Sequence, residues 1–176
     1  MIIKAKYRLG SRMIDRILRL KQTIPPEAAQ TFVDHASGEL ESDAKIRRTE
    51  VRWIMSDAHP FVQEELLDVV RNNQARLGIS APLYIERGVQ LATYHAGDHY
   101  GWHEDGHPGD GTRRELSISV LLTTGFKGGQ MEFRRAGAPK LKRPGDIILF
   151  HAWETHRVAP VTQGVRDSLV VWFKAA

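Results

Sequence analysis

The chain has 176 residues, 41% of them apolar, with a net charge of +4 and a pI near 9.5, enough for a buried core of ordinary domain size. It contains no cysteine, which excludes disulfides, zinc–thiolate centres and thiol nucleophiles, so any metal must sit on His, Asp or Glu. No run approaches the ~20 apolar residues of a membrane helix, and residues 1–21 lack the pattern of a signal peptide, so a cytoplasmic location is expected.

In chain order, Ser11 is a plausible helix N-cap, followed by Met13, Ile14, Ile17 and Leu18 at helical spacing. Pro25-Pro26 ends that segment and can start a second helix through Ala28, Phe32 and Val33. Residues 37–48 are polar and read as a loop, and residues 51–55 as a short strand carrying Trp53. Pro60 opens a helix with Val62, Leu66, Val69 and Val70 on one side, stopped by Gly78. Residues 1–88 are thus expected to be a helical support region, with 89–176 as the core of a single domain. From Tyr84 onward, short apolar runs alternate with glycine and proline. Strands are expected at 89–94, 116–122, 131–133, 146–150 and 169–173, with Leu116, Ile118, Val120 and Leu122 on one face of the second. The fold class is mainly β with supporting helices (α+β), and many short strands with glycine turns suggest a sandwich or double-sheet jelly roll.

Charge is uneven. Residues 113–143 hold eight basic residues against two acids, Glu115 and Glu132. Such an excess reads as a solvated face or as a surface for an acidic partner or nucleic acid. No basic helix, RNP-like motif or zinc finger supports nucleic acid.

The most informative stretch runs from Tyr94 to His107 and holds His95, His99, His103 and His107 at intervals of four. A helix would stack them on one face, but Gly97, Gly101 and Gly106 each disfavour helix by ~1 kcal/mol relative to alanine. In an extended segment His103 and Asp105 point the same way and can share a metal, while Glu104 points oppositely. A third ligand must come from elsewhere, and His151 and His156, just after the apolar strand ending at Phe150, are the candidates. Two imidazoles and one carboxylate hold iron(II) on one face and leave the other open. Arg166 lies at the mouth of the last apolar strand. It reads either as a surface residue paired with Asp167 or as a guanidinium entering the interior, where it needs an anion; the far carboxylate of a chelating dicarboxylate would fit that fork.

Residues 90–173 resemble the prolyl 4-hydroxylase-like branch of the 2-oxoglutarate/iron(II) dioxygenases. The matching pieces are Tyr94, Gly97, Tyr100 and His103-x-Asp105, then Gly128-Gly129 with Phe133, then Pro144-Gly145-Asp146 with Leu149-Phe150. His156-Arg157-Val158-Ala159-Pro160-Val161 and Gly164-x-Arg166-x-Ser168-Leu169 complete the pattern. The resemblance implies a double-stranded β-helix, which is a jelly-roll core. It assigns His103, Asp105 and His156 to iron(II) and Arg166 to the 5-carboxylate of 2-oxoglutarate. It places Tyr94 near the co-substrate, Tyr100 beside the site, and Trp172 and Met131 on the pocket wall. One departure is Leu121, which stands where many prolyl hydroxylases carry a tyrosine against 2-oxoglutarate; that contact is either lost or supplied by Ser119 or Ser168. The implied reaction is hydroxylation of a protein or peptide side chain, proline among them, through an iron(IV)-oxo intermediate, with release of succinate and CO₂ and with ascorbate as an auxiliary reductant. Rival readings are hydroxylation of a free amino acid or other small molecule, demethylation of nucleic acid, and a non-catalytic metal-binding jelly-roll module. The demethylase reading lacks the second arginine that such enzymes carry soon after the first.

Overall fold

Alternation decides how the strands are used. In β9 (Arg114–Leu121) the residues Leu116, Ile118 and Val120 enter the main apolar cluster, as their period of two predicts. Ser119 and Leu121 then face the other way. In β15 (Arg166–Ala175) Leu169, Val171 and Phe173 join the same cluster, which leaves Arg166, Ser168, Val170 and Trp172 on the opposite face. This chain therefore has one sheet with two differently used faces. One packs on the core, where each buried aliphatic side chain contributes roughly 1.5–3 kcal/mol; the other lines a cavity.

The computed structural model describes residues 6–9, 12–15, 17–21, 25, 46–58, 62–107, 109 and 111–175. The large sheet has seven strands, antiparallel in every pairing. Its order is β3 (Ile17–Leu20), β12 (Ile147–His151), β9, β15, β7 (Gly88–Tyr94) and β5 (Glu50–Met55), with β6 (Leu83–Ile85) also pairing with β15. A four-stranded sheet runs β11 (Met131–Phe133), β13 (His156–Val158), β8 (His99–His103) and β4 (Arg47–Arg48). β10 (Lys127–Gly128) pairs with β14 (Val161–Gln163), and β1 (Lys6–Leu9) with β2 (Arg12–Asp15). The helix α1 (Leu67–Asn73) follows a π turn at Val62–Leu66 and packs Val69 and Val70 on the core face of the large sheet. It passes into a 3-10 turn that ends at Gly78, whose φ of 76° is the left-handed stop expected from sequence. The fold is a double-stranded β-helix, mostly strand with one short α-helix among the described residues.

The helix expected from Ser11 onward is a correction. Met13 and Ile14 lie in β2, and Ile17 and Leu18 in β3. A short apolar run fits either period, and tertiary pairing decides it: β3 adds to β12 with Ile17 opposite Phe150 and Leu18 opposite Leu149. Arg47 and Arg48, expected in a loop, form β4. The second expected helix (Ala28, Phe32, Val33) and Pro60 lie outside the described residues.

Candidate active site

The ligand atoms of His103, Asp105 and His156 lie within 4.8 Å of one another, and they are the cluster among the described residues that could hold a metal ion. His103 ends β8 and His156 begins β13, and the two are opposite each other in that strand pair. Nε2 of His103 is 3.6 Å and Nε2 of His156 is 3.8 Å from Asp105 Oδ1. Both are too long for hydrogen bonds. Each Nδ1 is 2.8 Å from a backbone carbonyl, of Gly101 and of Glu154, in both cases two residues before the histidine. A carbonyl only accepts, so each ring carries its proton on Nδ1 and aims an Nε2 lone pair at the shared centre. Asp105 Oδ2 is buried with no hydrogen-bond partner among the described residues. A bare carboxylate oxygen facing two imidazole lone pairs fits a divalent cation, and two nitrogens plus one oxygen on one side match an open iron(II) site. Burial opposes the Asp105 charge, but the neighbouring His156 and His103 outweigh it and hold the carboxyl well below the usual range. Burial pushes the His156 imidazole below its ordinary value, toward the neutral form that ligates.

The backbone of Asp105 is clamped from two sides. Its N–H and that of Gly106 donate to Ala152 O at 2.9 and 3.2 Å. Its own carbonyl accepts from Arg114 Nη1 at 2.9 Å. Arg114 also donates to Glu86 at 2.6 Å and lies 4.0 Å over the Trp172 ring. Burial works against the Glu86 carboxylate, but Arg114 and Lys174 outweigh it and lower its pKa. Arg114→Ala is expected to weaken iron(II) binding by about 10- to 100-fold, as loss of an orienting partner does, without removing any ligand. Equilibrium titration with iron(II) under nitrogen measures this.

Arg166 is 2% exposed. Its Nη1 donates to Ser168 Oγ at 2.8 Å, and its guanidinium lies 5.4 Å from the Tyr94 ring centre. Strand register sets both contacts, since Arg166 is opposite Tyr94. Asp167 turns the other way, taking a 2.6 Å hydrogen bond from Thr93. Among the described residues no carboxylate forms an ion pair with Arg166, and burial pushes its pKa down. Gly129 makes room for it: a Cβ there would stand 2.9 Å from Arg166 Cδ and 2.9 Å from Val161 Cγ2.

Residues 89–174 match the model of the 2OG-Fe(II) oxygenase superfamily. Over that stretch, just under half of its length, the chain is similar to that superfamily. A PKHD-type hydroxylase of Idiomarina loihiensis is 30% identical over 114 residues, covering 62% of this chain and 52% of the relative. The chain spans about half the length of the curated relatives it matches. A viral collagen prolyl hydroxylase of Paramecium bursaria Chlorella virus-1, solved as its 2OG complex, superposes with a TM-score of 0.73 at 20% identity, over 92% of this chain and 97% of that one. A prolyl hydroxylase of Trichoplax adhaerens, solved with a hypoxia inducible factor peptide fragment, does so with 0.68 at 18%, over 90% and 83%. At these identities the structures establish the prolyl hydroxylase-like fold.

The triad opens into a cavity of about 210 Å³ between the two sheets, lined among others by Tyr94, Ser119, Met131, Ser168 and Trp172. Trp172 is buried, and its indole N–H has no acceptor among the described residues. Tyr94 is buried, which raises its pKa and keeps it a phenol. His151, the rival ligand, stacks on Trp153 at 4.6 Å and stays outside the triad. Sequence reasoning missed Arg47, Gln90, Trp53 and Arg114 on the cavity wall. Arg47 donates to Gln90 at 2.6 Å and lies 4.5 Å over Tyr100, whose ring stacks on His103 at 3.5 Å. No signal marked Arg47 beyond its place just before an expected strand.

Proposed function

We propose that this chain is an iron(II)- and 2-oxoglutarate-dependent hydroxylase acting on a protein or peptide side chain, proline foremost, within one dioxygenase domain over residues 1–176. His103, Asp105 and His156 are its iron ligands. Arg166, with Ser168 and the Tyr94 ring beside it, anchors the 5-carboxylate of 2-oxoglutarate, and Trp172 closes the wall. The observation that carries this reading is Arg166, a guanidinium buried behind an open two-His-one-carboxylate centre with no carboxylate of the described chain to meet it. Bound iron(II) and 2-oxoglutarate would let O₂ serve as the oxidant for C–H hydroxylation, one oxygen atom going to the substrate and the other into succinate as CO₂ is released. The protein's own part is positional. The carbonyls of Gly101 and Glu154 hold the imidazoles in one tautomer, and Arg166 fixes the co-substrate's far end. Trp172, Phe150 and Met131 keep water from the reacting centre.

A cavity of about 210 Å³ admits a side chain rather than a folded segment, and related prolyl hydroxylases include one solved with a peptide. Both support a peptide substrate. The lack of cysteine supports action in the cytoplasm, where ascorbate or another small reductant would keep the iron ferrous. Adding iron(II) and 2-oxoglutarate to the protein without oxygen should produce a weak visible charge-transfer band, and calorimetry should detect 2-oxoglutarate binding that depends on iron. Absence of both would overturn the assignment. Succinate-coupled turnover across peptide, amino-acid and nucleic-acid pools then decides the substrate, with proline-containing peptides expected to give the signal.

A further inference from the structure

A second cavity, of about 480 Å³, lies on the other side of Arg166. Lys127, Lys140 and Lys142 line it, with Leu121, Met131 and Arg166 on its wall. All three lysines are exposed, and none pairs with a carboxylate of the described residues. No carboxylate lines this cavity, whereas Glu104 and Asp105 both line the iron-side cavity. Met131 belongs to both walls. The Arg166 guanidinium lines the lysine side while its partners Ser168 and Tyr94 line the iron side. The loop carrying Lys140 and Lys142 is held in place: Asp146 Oδ2 accepts from the Lys142 and Arg143 N–H groups at 2.9 and 3.4 Å, and from Arg19 at 3.1 Å.

We propose that this lysine-lined cavity is the access route for the dicarboxylate co-substrate, leaving the iron-side mouth to the substrate that is hydroxylated. The inference rests on the reading of Arg166 as the anchor of 2-oxoglutarate. With Asp105 committed to the metal, a dianion approaching the iron-side mouth still meets Glu104 among the arginines; one approaching the lysine side meets only cations and then Arg166. Cations converging on a concave surface raise the association rate of an anion by about 10- to 1,000-fold, an effect that fades as salt shortens the ~10 Å screening length. The basic excess of residues 113–143 contributes these lysines, so part of that excess is a steering field.

Stopped-flow mixing of 2-oxoglutarate with the iron(II)-loaded protein under nitrogen reads the association and dissociation rates through the charge-transfer band. The triple variant Lys127→Gln/Lys140→Gln/Lys142→Gln is expected to associate about ten-fold more slowly at low ionic strength, with dissociation within two-fold of the parent. The two proteins should converge in 0.5 M salt. Arg134→Gln/Arg135→Gln removes charge from the same basic segment away from both cavities and is expected to leave the association rate unchanged. An unaltered rate in the lysine variant, or an equal slowing in the arginine variant, overturns the access route while the co-substrate assignment stands. A parent protein that shows no band overturns both.

Discussion

Asp105→Ala should leave a folded protein that holds iron(II) more than about 100-fold less tightly. Losing a partner that merely orients a ligand costs roughly 10- to 100-fold, and Asp105 is the one anionic member of the proposed ligand set. Two neutral imidazoles would remain, without the charge that compensates a dication. Folding should survive, because among the described residues the Asp105 side chain makes no short hydrogen bond between elements, and its backbone contacts to Ala152 and Arg114 do not need the carboxylate. Iron(II) titration together with thermal unfolding of the metal-free protein checks both halves. His151→Ala, which alters a histidine outside the triad, should bind iron(II) as the parent does. Equal loss in both variants would mean that the ligand set is wrong.

Arg166→Met is expected to have opposite effects on binding and on stability. Removing one partner of a buried, hydrogen-bonded charge pair costs about 2–5 kcal/mol, which is tens- to thousands-fold in affinity. Affinity for 2-oxoglutarate should fall by that amount while iron(II) binding persists. The ligand-free protein, however, now buries a cation without a carboxylate among the described residues, and desolvating such a charge costs several kcal/mol. Methionine fills similar length with no charge to desolvate. The thermal midpoint of the ligand-free variant should therefore equal or exceed that of the parent, and with iron(II) present added 2-oxoglutarate should raise the midpoint of the parent far more than that of the variant. Unchanged co-substrate affinity would refute the role of Arg166. A large drop in the ligand-free midpoint would mean that the guanidinium is a structural group.

The sequence was most legible where two independent constraints fell on the same residues. The stretch 116–122 had to be a strand because Leu116, Ile118, Val120 and Leu122 alternate, and all four reach the core. Glycines ruled out the helix that the four-residue histidine spacing suggested, and β8 is extended as far as His103; Asp105 lies in a bend just beyond the strand end rather than in it, yet still meets His103. The first segment failed for the converse reason. Met13, Ile14, Ile17 and Leu18 satisfy helical spacing, and nothing local records that Phe150 and Leu149 wait across the sheet. Arg114 illustrates a different blindness. It counted as one charge in a basic segment, yet it braces Asp105, Glu86 and Trp172 together, and a register shift near Phe173 hides which face of the strand it belongs to. Gly129 was visible as part of a motif, but its reason, the closeness of Arg166 Cδ, is a contact between distant strands.

The carbonyls of Gly101 and Glu154 that fix the two imidazoles bear on metal selectivity. A ligand set held rigid before any ion arrives gives up little entropy when one binds, and it cannot rearrange to reject an ion of similar size. Nitrogen and oxygen donors of this kind bind divalent first-row metals in the order Mn < Fe < Co < Ni < Cu > Zn, so iron(II) is not the ion they grip hardest. Cobalt, nickel or zinc should displace it when present in comparable amounts, filling the site without supplying its redox chemistry. The iron-loaded fraction of the protein then becomes a readout of which metals its surroundings make available.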